Sequence, residues 1–241
     1  MKLRNPENNV HPQGKQMNIE NTYTKLFQRL TNLNTTHICD ALPNVRLLDS
    51  SIHPITHHAK LIGRSVTVNS NGESLSIIKA LQENCHSESV MVIDACNAPH
   101  ALIGGIFATA AKQKGIRGVV LDGNCRDINE MIETGLPIFV KGKCAKTGKK
   151  NKIGSTQEAI TCGGVTVLPD EVIFGDDDGV VVLSVQEATD AIPLAESIKH
   201  NEEVAVEKLK NGLTLVDIYN FTEHYQNIES GNMDSKFGMT L

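Results

Sequence analysis

The sequence predicts a mixed α/β fold, a single domain built around a parallel sheet and closed by a C-terminal helix. Three observations carry this. The segments "SVMVIDAC" (89–96), "GVVLD" (118–122) and "LPIFVKG" (136–142) are short, uninterrupted apolar runs. Such runs mark strands buried on both faces. The stretches between them have helical spacing and the length of crossovers, which join parallel neighbours with right-handed connections.

The elements follow in chain order. Residues 1–17 are polar, rich in Pro and Asn and without periodicity, and read as a flexible extension. Leu26, Leu30 and Leu33 then share helical spacing, and "HICDAL" opens a second short helix after Thr35-Thr36. "KLIGRSVTVNS" (60–70) reads as a strand and "SLSIIKALQENC" (74–85) as an amphipathic helix. After the strand over 89–96, "GGIFATAAKQKG" (104–115) is a small-residue helix stopped by glycine. "RDINEMIETG" (126–135) is a helix with Ile128, Met131 and Ile132 on one face.

Beyond the third apolar strand the character changes. "KTGKKNKIGS" (146–155) is a basic loop, and "GVTVLPDEVIFGDDDGVVVLS" (164–184) reads as strand, turn, strand with "DDDG" as the turn. Residues 185–212 read as one long helix, bent near Pro193. Residues 229–241 are polar and read as a loose tail, so the domain itself is expected over 18–228.

Composition excludes several classes. Hydrophobic residues make up 40% and charged residues 21% of the 241, as in a folded globular protein. The net charge of -5 argues against a nucleic-acid partner, which calls for a basic face. No stretch reaches the roughly 18 apolar residues of a membrane span. The six cysteines form no C-x-x-C pair, and the N-terminus has no apolar core of a signal peptide, so free thiols in a reducing cytoplasm are expected. Cys125 reads as a bystander thiol, and neither the His57-His58 pair nor "DDDG" has metal-ligand spacing.

The chemistry collects after the strand over 118–122. In open α/β sheets, ligands bind outside the carboxyl ends of the parallel strands. That edge receives Asp122, Gly123, Arg126 and Asp127. An arginine there holds a carboxylate with two parallel hydrogen bonds, and a carboxylate there holds a hard divalent cation. The blander alternative is that Asp127 is an acid in the first turn of its own helix, paired with Arg126. The preceding strand end supplies Gly104-Gly105 at the start of a helix, where backbone N–H groups favour anions. Equally, two glycines there allow close packing of the helix on the sheet. The sequence lacks G-x-G-x-x-G, G-x-x-x-x-G-K-[ST] and G-x-S-x-G.

At this point the residues resemble a known family. "GGIFATAAKQKGIRGVVLDGNCRD" (104–127) is similar to the signature of the RraA-like family, "TTHICDAL" (35–42) to its early segment, and "GVTVLPDEVIFGDDDGVVVLS" (164–184) to its late one. The three fit one alignment over about residues 20–212. The resemblance implies a swivelling β/β/α-type fold, assembled as a homotrimer or a dimer of trimers, with active sites between subunits. Enzymes of the family are divalent-metal-dependent pyruvate aldolases that use Mg²⁺ or Mn²⁺. They cleave 4-hydroxy-2-oxo acids such as 4-hydroxy-4-methyl-2-oxoglutarate to pyruvate, or decarboxylate oxaloacetate. Other members are non-enzymatic regulators of RNA processing. Carried over, Asp127 would be the metal ligand and Arg126 would hold the oxo acid. Backbone amides of Gly104, Gly105, Ile106 and Phe107 would cradle its carboxylate, and Asp122 would shape the strand-end turn. Family aldolases often carry an acid at the position of Gly105. A further acid, Glu202 or Glu203, would reach the metal shell from a neighbouring subunit through water.

Overall fold

The computed structural model describes residues 12–56 and 58–240. His57 and residues 1–11 of the N-terminal extension lie outside the described residues. Helix α1 (Pro12–Leu30) opens on a proline, whose fixed φ and missing N–H suit a first helical position. Residues 12–17 are therefore helical, not part of an unstructured arm. The helix buries Tyr23, Leu26, Phe27 and Leu30, one stripe at i, i+3, i+4 and i+7. In α2 (Thr35–Ala41), His37 Nδ1 accepts the Asn34 N–H at 2.9 Å and closes the first turn.

Strands β1 (Arg46–Leu47) and β2 (His53–Pro54) are edge pieces. The central alternation follows: β3 (Leu61–Asn69), α3 (Leu75–Glu83), β4 (Ser89–Asp94), β5 (Ala101–Ile103), α4 (Gly105–Lys114), β6 (Gly118–Cys125), α5 (Ile128–Glu133) and β7 (Ile138–Lys143). Then come β8 (Ser155–Thr156), β9 (Ile160–Cys162), β10 (Val165–Val167), β11 (Val172–Asp176), β12 (Gly179–Leu183), α6 (Val185–Lys210), α7 (Leu215–Ile218) and α8 (Phe221–Glu229).

Among the described residues the main sheet has the order β1-β12-β11-β3-β4-β6-β7-β2, with β5 on β6 and β8 on β3. Strands β3, β4, β6 and β7 are parallel, in a register that aligns Val66, Met91, Val119 and Ile138. Their apolar runs are explained by burial on both sides. Met91, Ile93, Val119, Leu121, Ile138 and Val140 pack toward α3, α4 and α5. Val90, Val92, Val120 and Phe139 pack on the opposite face, against Ile160, Cys162 and Val167 of the β9–β10 hairpin. A further core joins α1, α2 and α6 to β11 and β12.

Several expectations need correction. Strand β6 does not stop at Asp122-Gly123 but continues to Cys125. A register shift against β7 between Leu121 and Asn124 lets it bulge and go on pairing. The segment 164–184 contains three strands, because β10 pairs back onto β9 across Gly163-Gly164 while β11 and β12 form the expected hairpin around Asp177-Asp178. The stepping of Leu75, Ile78, Lys79 and Gln82 along 74–85 does not mark the buried ridge of α3, which is Ile77, Ala80 and Leu81, with Ile78 outside. The long C-terminal helix is as expected, α6 running unbroken from Val185 to Lys210 with Pro193 inside it. The C-terminal tail is tied down: Asn220 bonds Lys236 and Gly238, Thr240 N–H bonds Ile218 O, and the Tyr219 and Phe237 rings stack at 5.1 Å. Polar side chains and main-chain groups make these ties, which hydropathy does not register.

Candidate active site at the junction of β6, α4 and α5

The chain leaves β6 at Cys125 and enters α5 through Arg126 and Asp127. Asp127 is the N-cap of α5 with φ 55° and ψ 49°, the left-handed region that Asp tolerates better than most residues. That turn aims the carboxylate away from its own helix, where it makes no cap hydrogen bond. Oδ2 instead accepts the Gly105 N–H at 3.3 Å, at the N-terminus of α4. It also lies 3.4 Å from Arg126 Nε, with both side chains 41% exposed. The simple alternative is met in part: Asp127 does pair with Arg126, but it stands at the N-cap of α5 and its carboxylate bonds the N-terminus of α4 rather than its own helix.

The two glycines have separate roles. A Cβ on Gly104 would stand 2.5 Å from Asp127 Oδ2 and 3.1 Å from Arg126 Cγ. A Cβ on Gly105 would stand 2.9 Å from Glu130 Cβ, so an acidic side chain there would have to push α4 and α5 apart. Gly105 is thus a packing position, while Gly104 makes room for the Asp127 carboxylate against the start of α4. The first N–H groups of α4 have no partner within the helix, and those of Ile106 and Phe107 join Gly105 at this end. The Ile106 side chain is 88% exposed, whereas that of Phe107 packs on the core and borders the neighbouring cleft.

These groups border a cleft of about 310 Å³. Its floor is apolar, with Ile77, Leu81, Leu102 and Phe107, and Ser74, Arg126, Asp127, Thr147 and Lys150 are its polar members. Thr147 and Lys150 come from the basic loop 146–155. The sequence marked that loop by charge but gave no reason to bring it here.

Asp122 is elsewhere. Leu121 faces the helices, and Asp122 turns to the opposite face, where its carboxylate accepts from Gly163 N–H at 2.8 Å and Lys141 Nζ at 3.0 Å. It ties β6 to β7 and to the β9–β10 turn and does not line the cleft. Cys125 is buried, and burial pushes its thiol up to about 11, as suits a bystander. Asp176 of "DDDG" accepts from the N–H and hydroxyl of Thr35 at 2.7 and 2.6 Å, pinning α2 to the hairpin. Glu202 pairs with His37 at 3.0 Å and Glu203 with Lys199 at 2.9 Å. Both border a different cleft, of about 460 Å³, between α2 and α6. Within one chain neither accompanies Asp127. Among the described residues no three His, Cys, Asp or Glu side chains converge on a common metal position.

Fold and site together define an α/β protein with an arginine, a carboxylate and a helix N-terminus converging at the ends of parallel strands. Residues 35–182 match the RraA-like family, described as Aldolase/RraA. The chain belongs to that family. It is 32% identical over 187 residues to a Halalkalibacterium halodurans protein provisionally named a 4-hydroxy-4-methyl-2-oxoglutarate aldolase, covering 77% of this chain and 89% of that one. It resembles the solved structure of the RNA-processing inhibitor RraA from Thermus thermophilus, with a TM-score of 0.57 and 28% identity over 62% of this chain and 92% of that one. The fold is also shared with an uncharacterized protein from Pseudomonas syringae, with a TM-score of 0.71 and 24% identity over 80% and 96% of the two chains. Among the described residues no helix is long and apolar enough to cross a membrane.

Proposed function

We propose that the cleft beside α4 is the active site of a divalent-metal-dependent lyase of the pyruvate-aldolase type. Its substrates are small 4-hydroxy-2-oxo acids, such as 4-hydroxy-4-methyl-2-oxoglutarate, and oxaloacetate. The observation that carries this is the pairing of Arg126 and Asp127 in front of the α4 N-terminus. The aldolase name of the H. halodurans relative supports it.

The residues fit a hard cation. Among the described residues only one oxygen of Asp127 has a hydrogen-bond donor, and the carboxylate is 41% exposed. Mg²⁺ and Mn²⁺ accept one or two carboxylates and complete their shells with water and substrate oxygen. When bound, the cation would polarise the 2-oxo group as a Lewis acid. Arg126 pairs with the substrate carboxylate, and the N–H groups of Ile106 and Phe107 add donors to the same anion. Breaking the C3–C4 bond sends its electron pair into a pyruvate enolate, whose negative charge the Arg126 guanidinium stabilises. Decarboxylation of oxaloacetate needs no proton acceptor, since carbon dioxide simply leaves. Retro-aldol cleavage also requires a group to take the 4-hydroxyl proton. Oxaloacetate is therefore the least demanding substrate for this constellation.

The likeness to an RNA-processing inhibitor favours a second reading, a non-enzymatic regulator, and the packing of Gly105 against Glu130 is compatible with it. Incubation with oxaloacetate and with 4-hydroxy-4-methyl-2-oxoglutarate, with lactate dehydrogenase reporting pyruvate, separates the two. Pyruvate release that EDTA abolishes is the lyase result. Its absence with both substrates would move the weight to the regulator. We also propose that the chain assembles as a homotrimer or a dimer of trimers, which light scattering would show as a mass three or six times 26.2 kDa.

A further inference from the structure

Between β7 and β8 the chain has to cross the mouth of the sheet. Strand β7 lies beyond β6, and β8 pairs with the end of β3, so residues 144–154 pass over the carboxyl ends of β6, β4 and β3. That is the edge where the cleft opens, and Thr147 and Lys150 of this segment form part of its wall. Four strand spacings make a span of about 19 Å, whereas these eleven residues reach roughly 36 Å when extended, so the connection carries slack. None of the eleven is buried, and the one large apolar side chain among them, Ile153, is 74% exposed. No apolar contact therefore holds the segment down. Lys146, Lys149, Lys150 and Lys152 crowd it with one sign of charge and no acid intervenes, which favours an open, solvated loop.

What holds it is a set of hydrogen bonds, most of them from the short stretch 71–76 that leads into α3. Glu73, only 6% exposed, accepts the Lys149 N–H at 3.1 Å through Oε1 and the Lys150 N–H at 2.7 Å through Oε2. Asn71 Nδ2 donates to Ile153 O at 3.1 Å, and Ser76 Oγ accepts the Gly154 N–H at 2.7 Å. At the other end the Ala101 N–H donates to Lys146 O at 2.8 Å. Lys150 has φ 59°, a conformation that lysine keeps only where its surroundings enforce it. Gly148 and Gly154 bracket the held stretch. A Cβ would collide with the Glu73 carboxylate at the first and with the Asn69 main chain at the second. We propose that residues 144–154 form a strap that opens and recloses over the cleft, with Glu73 as its latch. A slack segment held by polar ties alone opens at a small fraction of the free energy of global unfolding. Closed, the strap completes the wall of the cleft. Open, it exposes the apolar floor of Ile77, Leu81, Leu102 and Phe107 and gives a ligand its way in and out. The buried carboxylate sets the balance against the mutual repulsion of the lysines. The strap governs access to the cleft and is independent of the chemistry performed there.

Hydrogen exchange on the full chain tests the latch, and a reporter in the cleft tests the cover. The chain has no tryptophan, so Phe107→Trp places a single indole at the cleft floor. Glu73→Ala removes both acceptors of the latch, and Glu73→Gln keeps one. In Glu73→Ala the amide protection of Lys149 and Lys150 should fall about tenfold or more, while that of Val92 and Val120 in the central strands stays at its wild-type value. In the Phe107→Trp background the same substitution should shift the indole emission to the red and strengthen its quenching by acrylamide. Glu73→Gln should lie between wild type and Glu73→Ala in both readouts. Ser76→Ala, which frees only the Gly154 N–H, should act in the same direction more weakly, and it carries the test if Glu73→Ala does not fold. Wild-type protection at Lys149 and Lys150 in the latch variants would overturn the proposal. So would lost protection with unchanged quenching, since the strap would then cover nothing. A loss that spreads to Val92 and Val120 would make Glu73 a support of the whole fold and would overturn it equally.

Discussion

Gly104→Ala displaces the Asp127 carboxylate without replacing either charged residue, its Cβ also coming within 3.1 Å of Arg126 Cγ. At φ −160° and ψ −166° the backbone is extended, so alanine adds no conformational strain. The cost lies in the new Cβ, 2.5 Å from Asp127 Oδ2 where ordinary contact begins near 3.4 Å. The carboxylate has to retreat by about 0.9 Å, and as the end of a short, half-exposed side chain it can do so by rotating. Rotation gives up the long hydrogen bond from Gly105 N–H, worth about 0.5–1.5 kcal/mol. For a chain of this size that is a drop of roughly 1–6 °C in Tm. The effect on turnover is larger, because a displacement near 1 Å at a reacting centre costs on the order of 100-fold. Scanning calorimetry and the lactate dehydrogenase-coupled assay on one preparation measure both. A folded Gly104→Ala protein with wild-type turnover would refute the reasoning, since Asp127 would then not need its observed place.

Three other outcomes follow from the same contacts. Asp122→Ala should lower stability by about 1–3 kcal/mol in urea unfolding, through the unpaired Gly163 N–H, while leaving kcat for oxaloacetate near its wild-type value. The Lys150 N–H bond holds the Glu73 carboxyl below the usual carboxylate range. The anchoring of loop 146–155 should therefore be complete above about pH 4.5 and disappear as pH falls through the lowered value, read as loss of hydrogen-exchange protection at Lys149 and Lys150. Burial pushes the Cys85 thiol up to about 12 and that of Cys125 to about 11, so in native protein near neutral pH a thiol reagent should modify exposed Cys96 and spare both.

How much of this was legible in the sequence depends on where the deciding contacts lie along the chain. Strands β4, β6 and β7 are plain because burial on both faces writes itself as an unbroken apolar run. Arg126 and Asp127 are plain because charges directly after such a run stand at a strand end. The direction of each carboxylate is not plain. Asp122 and Asp127 belong to one short stretch, yet strand alternation and the β6 bulge send Asp122 to the far face. A left-handed turn at Asp127 sends its carboxylate to α4. Lys150 was visible only as one lysine among several. Its partner Glu73 lies 77 residues earlier, and no local pattern signals a positive φ at lysine. The tail escaped for a related reason, since Asn220 holds it through hydrogen bonds rather than an apolar stripe.

The central claim is that Asp127 and Arg126 form a metal-assisted lyase site. The most direct measurement is oxaloacetate-dependent pyruvate release by wild type and Asp127→Ala across a Mg²⁺ titration, with EDTA as the zero point and circular dichroism to verify the fold. The account predicts metal-dependent release by the wild type and none above the uncatalysed rate by a correctly folded Asp127→Ala. Wild-type turnover in that variant, or turnover indifferent to EDTA, would contradict it.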